Sequence, residues 1–167
     1  MGFDLQSWGK AKSEAGDYFQ NNVWWWRPLA QYVIEQTKCV EKFDEEGWSY
    51  NDNHLVPKET ARAIAKQLRY LIKSGHTKKY AMAWDIKNKQ MEEANKKVRE
   101  ELEEHCKSVK ARLKKPNLAP NDFPKADSDK WEKIYNKINF DAYYPFSVQN
   151  VKDFAKFCEE CEGFTIG

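Results

Sequence analysis

The sequence predicts a mainly α-helical protein, a single domain over residues 1–167 with five helices, one of them long and charged. A small two-stranded patch joins its termini. Three observations carry this prediction. Apolar residues recur at helical spacing in blocks bounded by proline and glycine, as in Ala61, Ile64, Ala65, Leu68, Leu71 and Ile72 between Pro57 and Gly75. No Gly or Pro interrupts the chain from Thr77 until Pro116. Both ends alternate, with Phe3 and Leu5 at one and Phe164 and Ile166 at the other.

Taken in order, Met1 to Leu5 reads as a short strand, and residues 6–20, with Gly9 and Gly16, as a loop delivering Tyr18 and Phe19. Pro28 suits the first position of a helix, where its missing N–H costs nothing. Leu29, Tyr32, Val33, Gln36, Val40 and Phe43 then place that helix over 28–43. Residues 44–56 break the pattern. Pro57 opens the second helix, and Gly75 ends it as a left-handed cap.

Thr77 is read as the N-cap of the third helix, which covers 77–115 through Tyr80, Trp84, Met91, Val98, Leu102, Val109 and Leu113. Such a helix spans about 58 Å at 1.5 Å per residue. Its apolar seam is narrow, so it needs a partner: the body of the domain along one half and a second copy of the chain along the other, with a hairpin break near 88–96 as the competing reading. A proline-marked loop covers 116–128, and a short helix 129–139 follows. Ala142 to Phe146 is an extended aromatic connector. Ser147 caps the last helix, and Gly163 stops it before the closing strand.

The stretch Asn21-Asn22-Val23-Trp24-Trp25-Trp26-Arg27-Pro28-Leu29 is the main functional candidate. Three consecutive indoles cannot share one face of a helix or strand, so at least one points away from the others' packing. Amide and guanidinium groups beside them demand hydrogen bonds if buried. The residues are either a core-filling turn or the wall of an aromatic and polar pocket. In the pocket reading, Asn21, Asn22, Trp24, Trp25, Trp26 and Arg27 are joined by Asn51, Asp52 and His54. The 44–56 loop then folds back along the first helix, anchored by Trp48 and Tyr50, so that Arg27 and His54 border one pocket.

Other constellations point less far. Cys158-x-x-Cys161 is half of a zinc site, and no second pair is in sequence. A redox CxxC belongs at a helix start, whereas this one ends a helix. Neither metal nor cofactor is expected. No nucleophile motif or phosphate-cradling glycine loop is present, so an enzyme would have to use His54 as acid or base. The net charge of +2 is too balanced to indicate nucleic acid. Lys107, Lys110, Arg112, Lys114 and Lys115 form the one net basic patch. No apolar run reaches a membrane span, nothing at the N-terminus reads as a signal peptide, and a bacterial cytoplasm is expected.

Two stretches resemble a family of small phage and bacterial proteins without an assigned activity. One is Gly2-Phe3-Asp4-Leu5, Tyr18-Phe19 and Asn21 through Leu29; the other is Tyr144-Pro145-Phe146-Ser147, Val151, Phe154, Phe157-Cys158 and Gly163-Phe164. Asn51-Asp52-Asn53-His54 resembles that family's Asn-Asp-Gly-His turn. The chain departs from the pattern at Gln20, where Arg is usual, at Asn53, and at Glu159–Glu162, which replace an Arg-containing, Gly-rich segment. The phage resemblance implies host-directed roles, including evasion of defence.

The leading expectation is therefore a non-enzymatic binding protein that sequesters a small anionic, nucleotide-like host signal. The alternatives are a module that contacts a host protein, or a second copy, through the long helix, and a small enzyme using His54.

Overall fold

A computed structural model describes residues 2–167. Among them the mainly α-helical class holds, with five helices of more than two turns. The chain divides into two compact units: residues up to Asp85 with Tyr144–Gly167, and Ile86–Tyr143.

The first unit is built on β1 (Gly2–Ser7), α1 (Glu14–Asp17), β2 (Tyr18–Asn22), α2 (Val23–Thr37), β3 (His54–Val56), α3 (Lys58–Lys73), the start of α4 (His76–Leu113), α6 (Val148–Glu160) and β4 (Phe164–Ile166). The terminal strands pair as expected, antiparallel, with Leu5 opposite Ile166. The patch is larger than two strands, because β2 and β3 join its edges in the order β2-β1-β4-β3. Phe19 alternates with exposed neighbours in β2, and Val56 does so in β3. Each adds to the face on which Phe3, Leu5, Phe164 and Ile166 are buried, and the helices' Leu29, Val33, Ile64, Leu68, Phe154 and Phe157 complete one core. Residues 6–20, read as loop, thus contain the end of β1, one helical turn and half of β2.

The first long helix is displaced from its expected range. It starts at Val23 because Asn22 Oδ1 accepts hydrogen bonds from the backbone N–H groups of Trp24 and Trp25, both at 3.1 Å. Pro28 consequently lies inside the helix and leaves the Trp24 carbonyl without its usual donor. The helix ends at Thr37, where Lys38 turns left-handed at φ 55°, so Val40 and Phe43 fall outside it.

The other boundaries follow their signals more closely. Pro57 precedes α3, and Gly75 takes φ 80° after it. Ser147 Oγ caps α6 by accepting from Gln149 N and Asn150 N. Thr77, expected as an N-cap, instead lies within α4 with its hydroxyl 2.9 Å from the buried Tyr32 hydroxyl.

The second unit is a helical hairpin. α4 runs unbroken for 38 residues, so no hairpin interrupts 88–96. α5 (Lys125–Tyr135) begins four residues before its expected start, directly after Pro124. Its buried apolar side chains among the described residues are few: Val109, Phe123, Ile134 and Ala142. Asn95 is buried at the seam and makes two hydrogen bonds of 2.8 Å, donating to Asn139 O and accepting from Asn139 N. His105, also buried, contacts Asp127 O at 2.9 Å. In this unit, the chain's own 116–143 segment therefore covers part of the seam. The connector at 142–146 begins as a 3-10 turn, Phe140–Tyr143, rather than extended chain.

Candidate functional site

The three tryptophans take two different roles. Trp26 is fully buried, stacked between Phe3 at 5.3 Å and Trp48 at 5.8 Å, and its indole N–H donates to Trp48 O at 2.8 Å. This is a core residue with its polar atom satisfied. Trp24 and Trp25, in the exposed first turn of α2, remain 45% and 37% accessible. Trp24 packs on Tyr144 at 5.0 Å, and Arg27 reaches the same ring, donating to its hydroxyl at 2.8 Å. The Arg27 guanidinium carbon lies 5.8 Å from the Tyr144 centroid, within cation–π range.

The amide candidates are structural ties. Asn21 donates to Asn150 Oδ1 at 3.0 Å, Asn22 caps α2, and Asn51 donates to the Gly2 carbonyl. Asp52 is exposed in the turn before β3. His54 is held against Gly47, where an added Cβ would fall into the imidazole, and its Nε2 stands 4.0 Å from an Asp44 carboxylate oxygen.

A groove of this unit lies along α2, with a volume of about 720 Å³. Arg27, Ala30, Gln31, Ile34, Glu35 and Lys38 fall on one helical stripe and form one wall; Val40, Lys42, Glu45, Trp48, Ser49 and Tyr50 form the other. Ala30 and Trp48 are buried at its base, and Tyr50 is 58% exposed at its rim. Gln31 donates to Glu35 at 2.9 Å, holding that carboxylate to the helix. Arg27, Lys38 and Lys42 outnumber Glu35 and Glu45, so the lining is net positive.

Of the residues singled out in the sequence, Arg27 lines this groove. His54 and the three tryptophans do not; the indole that does is Trp48. The loop anchors Trp48 and Tyr50 thus fold back along α2 as expected, but they bring Ser49 and Lys42 to Arg27 rather than His54. Gln31, Glu35, Lys38 and Lys42 are not marked in the sequence, because their residue types are those of any solvated helix face or loop. Arg27, Gln31 and Glu35 recur at helical spacing on the solvent side of α2, and Lys38 follows as its C-cap.

The cysteine pair is accounted for structurally. Cys158 and Cys161 are buried as free thiols, and burial pushes both thiol pKa values up. Arg62 donates to the Cys158 and Cys161 carbonyls at 2.6 and 2.7 Å, tying α3 to the end of α6. Glu159 pairs with Arg69, and Glu162 with Lys58 and Arg62. The acidic residues at this end of α6 thus neutralise cations of α3. Among the described residues, no group of three or more His, Cys, Asp or Glu is placed to hold a metal ion, and no helix is long and apolar enough to cross a membrane.

Elsewhere in this unit Tyr32 and Tyr80 pack edge-on, with ring centroids 4.7 Å apart. Burial, followed by the nearby Glu35 charge, pushes the Tyr80 phenol up to about 12. Both phenols therefore stay neutral at physiological pH. No family model, curated protein or solved structure matches the chain.

Proposed function

We propose that the protein is a non-enzymatic binder of a small anionic ligand carrying a flat ring, as a nucleotide does, and that the α2 groove is its site. One observation carries this reading: three cations, the polar Gln31 and Ser49, and the exposed Tyr50 ring converge on a concave surface of about 720 Å³. That volume lies within the range of small-molecule sites. The Tyr50 ring supplies a stacking face, and Lys38 and Lys42 supply point charges for phosphate. Catalysis finds less support, because His54, the candidate acid or base, lies outside the groove lining.

The motif resemblance to phage and bacterial proteins supports the physiological half of the proposal, sequestration of a nucleotide-like host signal. A thermal-shift screen of mono- and dinucleotides tests the reading. A ligand present at 100 times its Kd stabilises the protein by about 2.7 kcal/mol, which raises Tm by several degrees. A flat response across the screen refutes the proposal.

A further inference from the structure

The hairpin unit carries a row of rings that its own core does not cover. Trp131 stacks on Tyr135 at 4.9 Å and 14°, Tyr135 lies 6.1 Å from Phe140, and Phe140 lies 6.4 Å from Tyr143. Tyr135, Phe140 and Tyr143 are 37%, 50% and 37% exposed. Four adjoining rings partly open to solvent mark a contact surface rather than scattered apolar residues. At the end of the row the Arg99 guanidinium lies 5.6 Å from the Tyr143 centroid and donates to its hydroxyl.

Charge is divided between the two units. Residues 86–143 hold 14 Lys and Arg against 11 Asp and Glu, net +3, while the remainder hold 14 against 15, net −1, together the +2 of the whole chain. Within 107–137 the balance is nine basic to four acidic residues. Lys107, Arg112 and Lys137 are in ion pairs with Glu103, Asp127 and Glu101. Among the described residues Lys110, Lys114, Lys115, Lys125, Lys130 and Lys133 are in none of the ion pairs, and are the cations left for an external anion. Arg99 and Lys110, eleven residues apart, share a face of α4. The near-neutral average that spoke against nucleic acid therefore hides a basic, ring-bearing unit.

We propose that the Trp131–Tyr135–Phe140–Tyr143 row, with Arg99 and the unpaired lysines of 107–137, is a platform for single-stranded nucleic acid. Bases stack on the exposed rings, and the cations follow the phosphates. Every base has a flat face, so such a surface tolerates sequence, and its affinity falls steeply with salt. An acidic protein surface would meet the same cations, but it has no general need for a row of flat ring faces. The platform is independent of the α2 groove.

The test uses the full chain and fluorescence anisotropy with a labelled oligothymidine of about 15 nucleotides, alongside a duplex of equal length. The expected result is salt-sensitive binding that prefers the single strand. Tyr135→Ala and Phe140→Ala should each weaken it about tenfold, and Phe140→Trp should retain it. Both positions are surface rings, and unchanged circular dichroism melting checks that the variants fold. No binding overturns the proposal, as does binding of strand and duplex alike that the ring variants leave unchanged, which is bulk charge alone. Ring-dependent binding of an oligoglutamate peptide without binding of oligothymidine would overturn it in favour of a protein partner.

Discussion

The two units differ in how much of their aromatic content a core covers. In the sheet-bearing unit, Phe3, Trp26, Trp48, Phe154, Phe157 and Phe164 interlock as stacked and edge-on pairs, all buried. In the hairpin unit Phe123 is buried, while Tyr135, Phe140 and Tyr143 remain exposed. Cations follow the same division. Arg62, Arg69 and Lys58 are tied to the α6 end by hydrogen bonds and ion pairs, whereas most lysines of 107–137 face solvent. Similar residue types thus supply cohesion where a core covers them and recognition surface where none does, as Tyr50 of the α2 groove also shows. Position relative to a core decides which.

The largest effect that would test this division is at Trp26. Trp26→Ala removes a fully buried indole and its bond to Trp48 O, and should cost about 3–5 kcal/mol, read by urea denaturation. Trp24→Ala, two residues away but exposed, should cost under about 1 kcal/mol. Equal losses at both positions would mean that the first turn of α2 is packed differently.

The hairpin unit depends more on polar satisfaction. Asn95→Ala leaves the Asn139 N–H and carbonyl unpaired beside a buried seam, and should cost about 2–3 kcal/mol. Hydrogen exchange at the Asn139 amide is the local readout. Protection unchanged from wild type would contradict the assigned role.

A smaller effect lies in the pH dependence of the sheet-bearing unit. Tyr80 is raised from 10.0 to about 12, so the neutral phenol is favoured in the folded state. Its contribution is fully present below pH 10 and is lost as pH rises toward 12. Tyr32 shifts in the same direction through burial, partly offset by its bond to Thr77. Stability should therefore fall across that alkaline window, and Tyr80→Phe should remove part of the fall. An identical alkaline profile in the variant would show that this phenol does not ionise on unfolding.

Much of the fold was legible because its signals were local. The stripe from Ala61 to Ile72, the Gly75 stop, the Ser147 cap and the uninterrupted run behind α4 each act within a turn or two of helix. Two valid signals compete for the start of α2. Proline favours a helix's first turn, but Asn22 can cap the backbone six residues earlier, and the buried Trp26 rewards the longer helix. The edge strands were less visible: β3 has three residues, and β2 is paired only through contacts with β1.

The groove was half legible. Arg27, Trp48 and Tyr50 announced themselves by residue type, and the fold-back of the loop followed from its large anchors. Lys38, Lys42, Gln31 and Glu35 are ordinary surface residues in sequence, and only the fold-back of the loop that carries Lys42 brings them to one groove. His54 drew attention as the one imidazole near a polar turn, yet its pairing across β3 with Ile166 and its packing on Gly47 fix it elsewhere.

The central claim is that the α2 groove holds an anionic ring-bearing ligand, and isothermal titration calorimetry tests it most directly. With the best nucleotide from the thermal screen, the charge-reversed double variant Lys38→Glu/Lys42→Glu should lose at least tenfold in affinity, about 1.4 kcal/mol. His54→Ala should bind as wild type. Undiminished affinity in the folded double variant would place the ligand outside the groove and contradict the account.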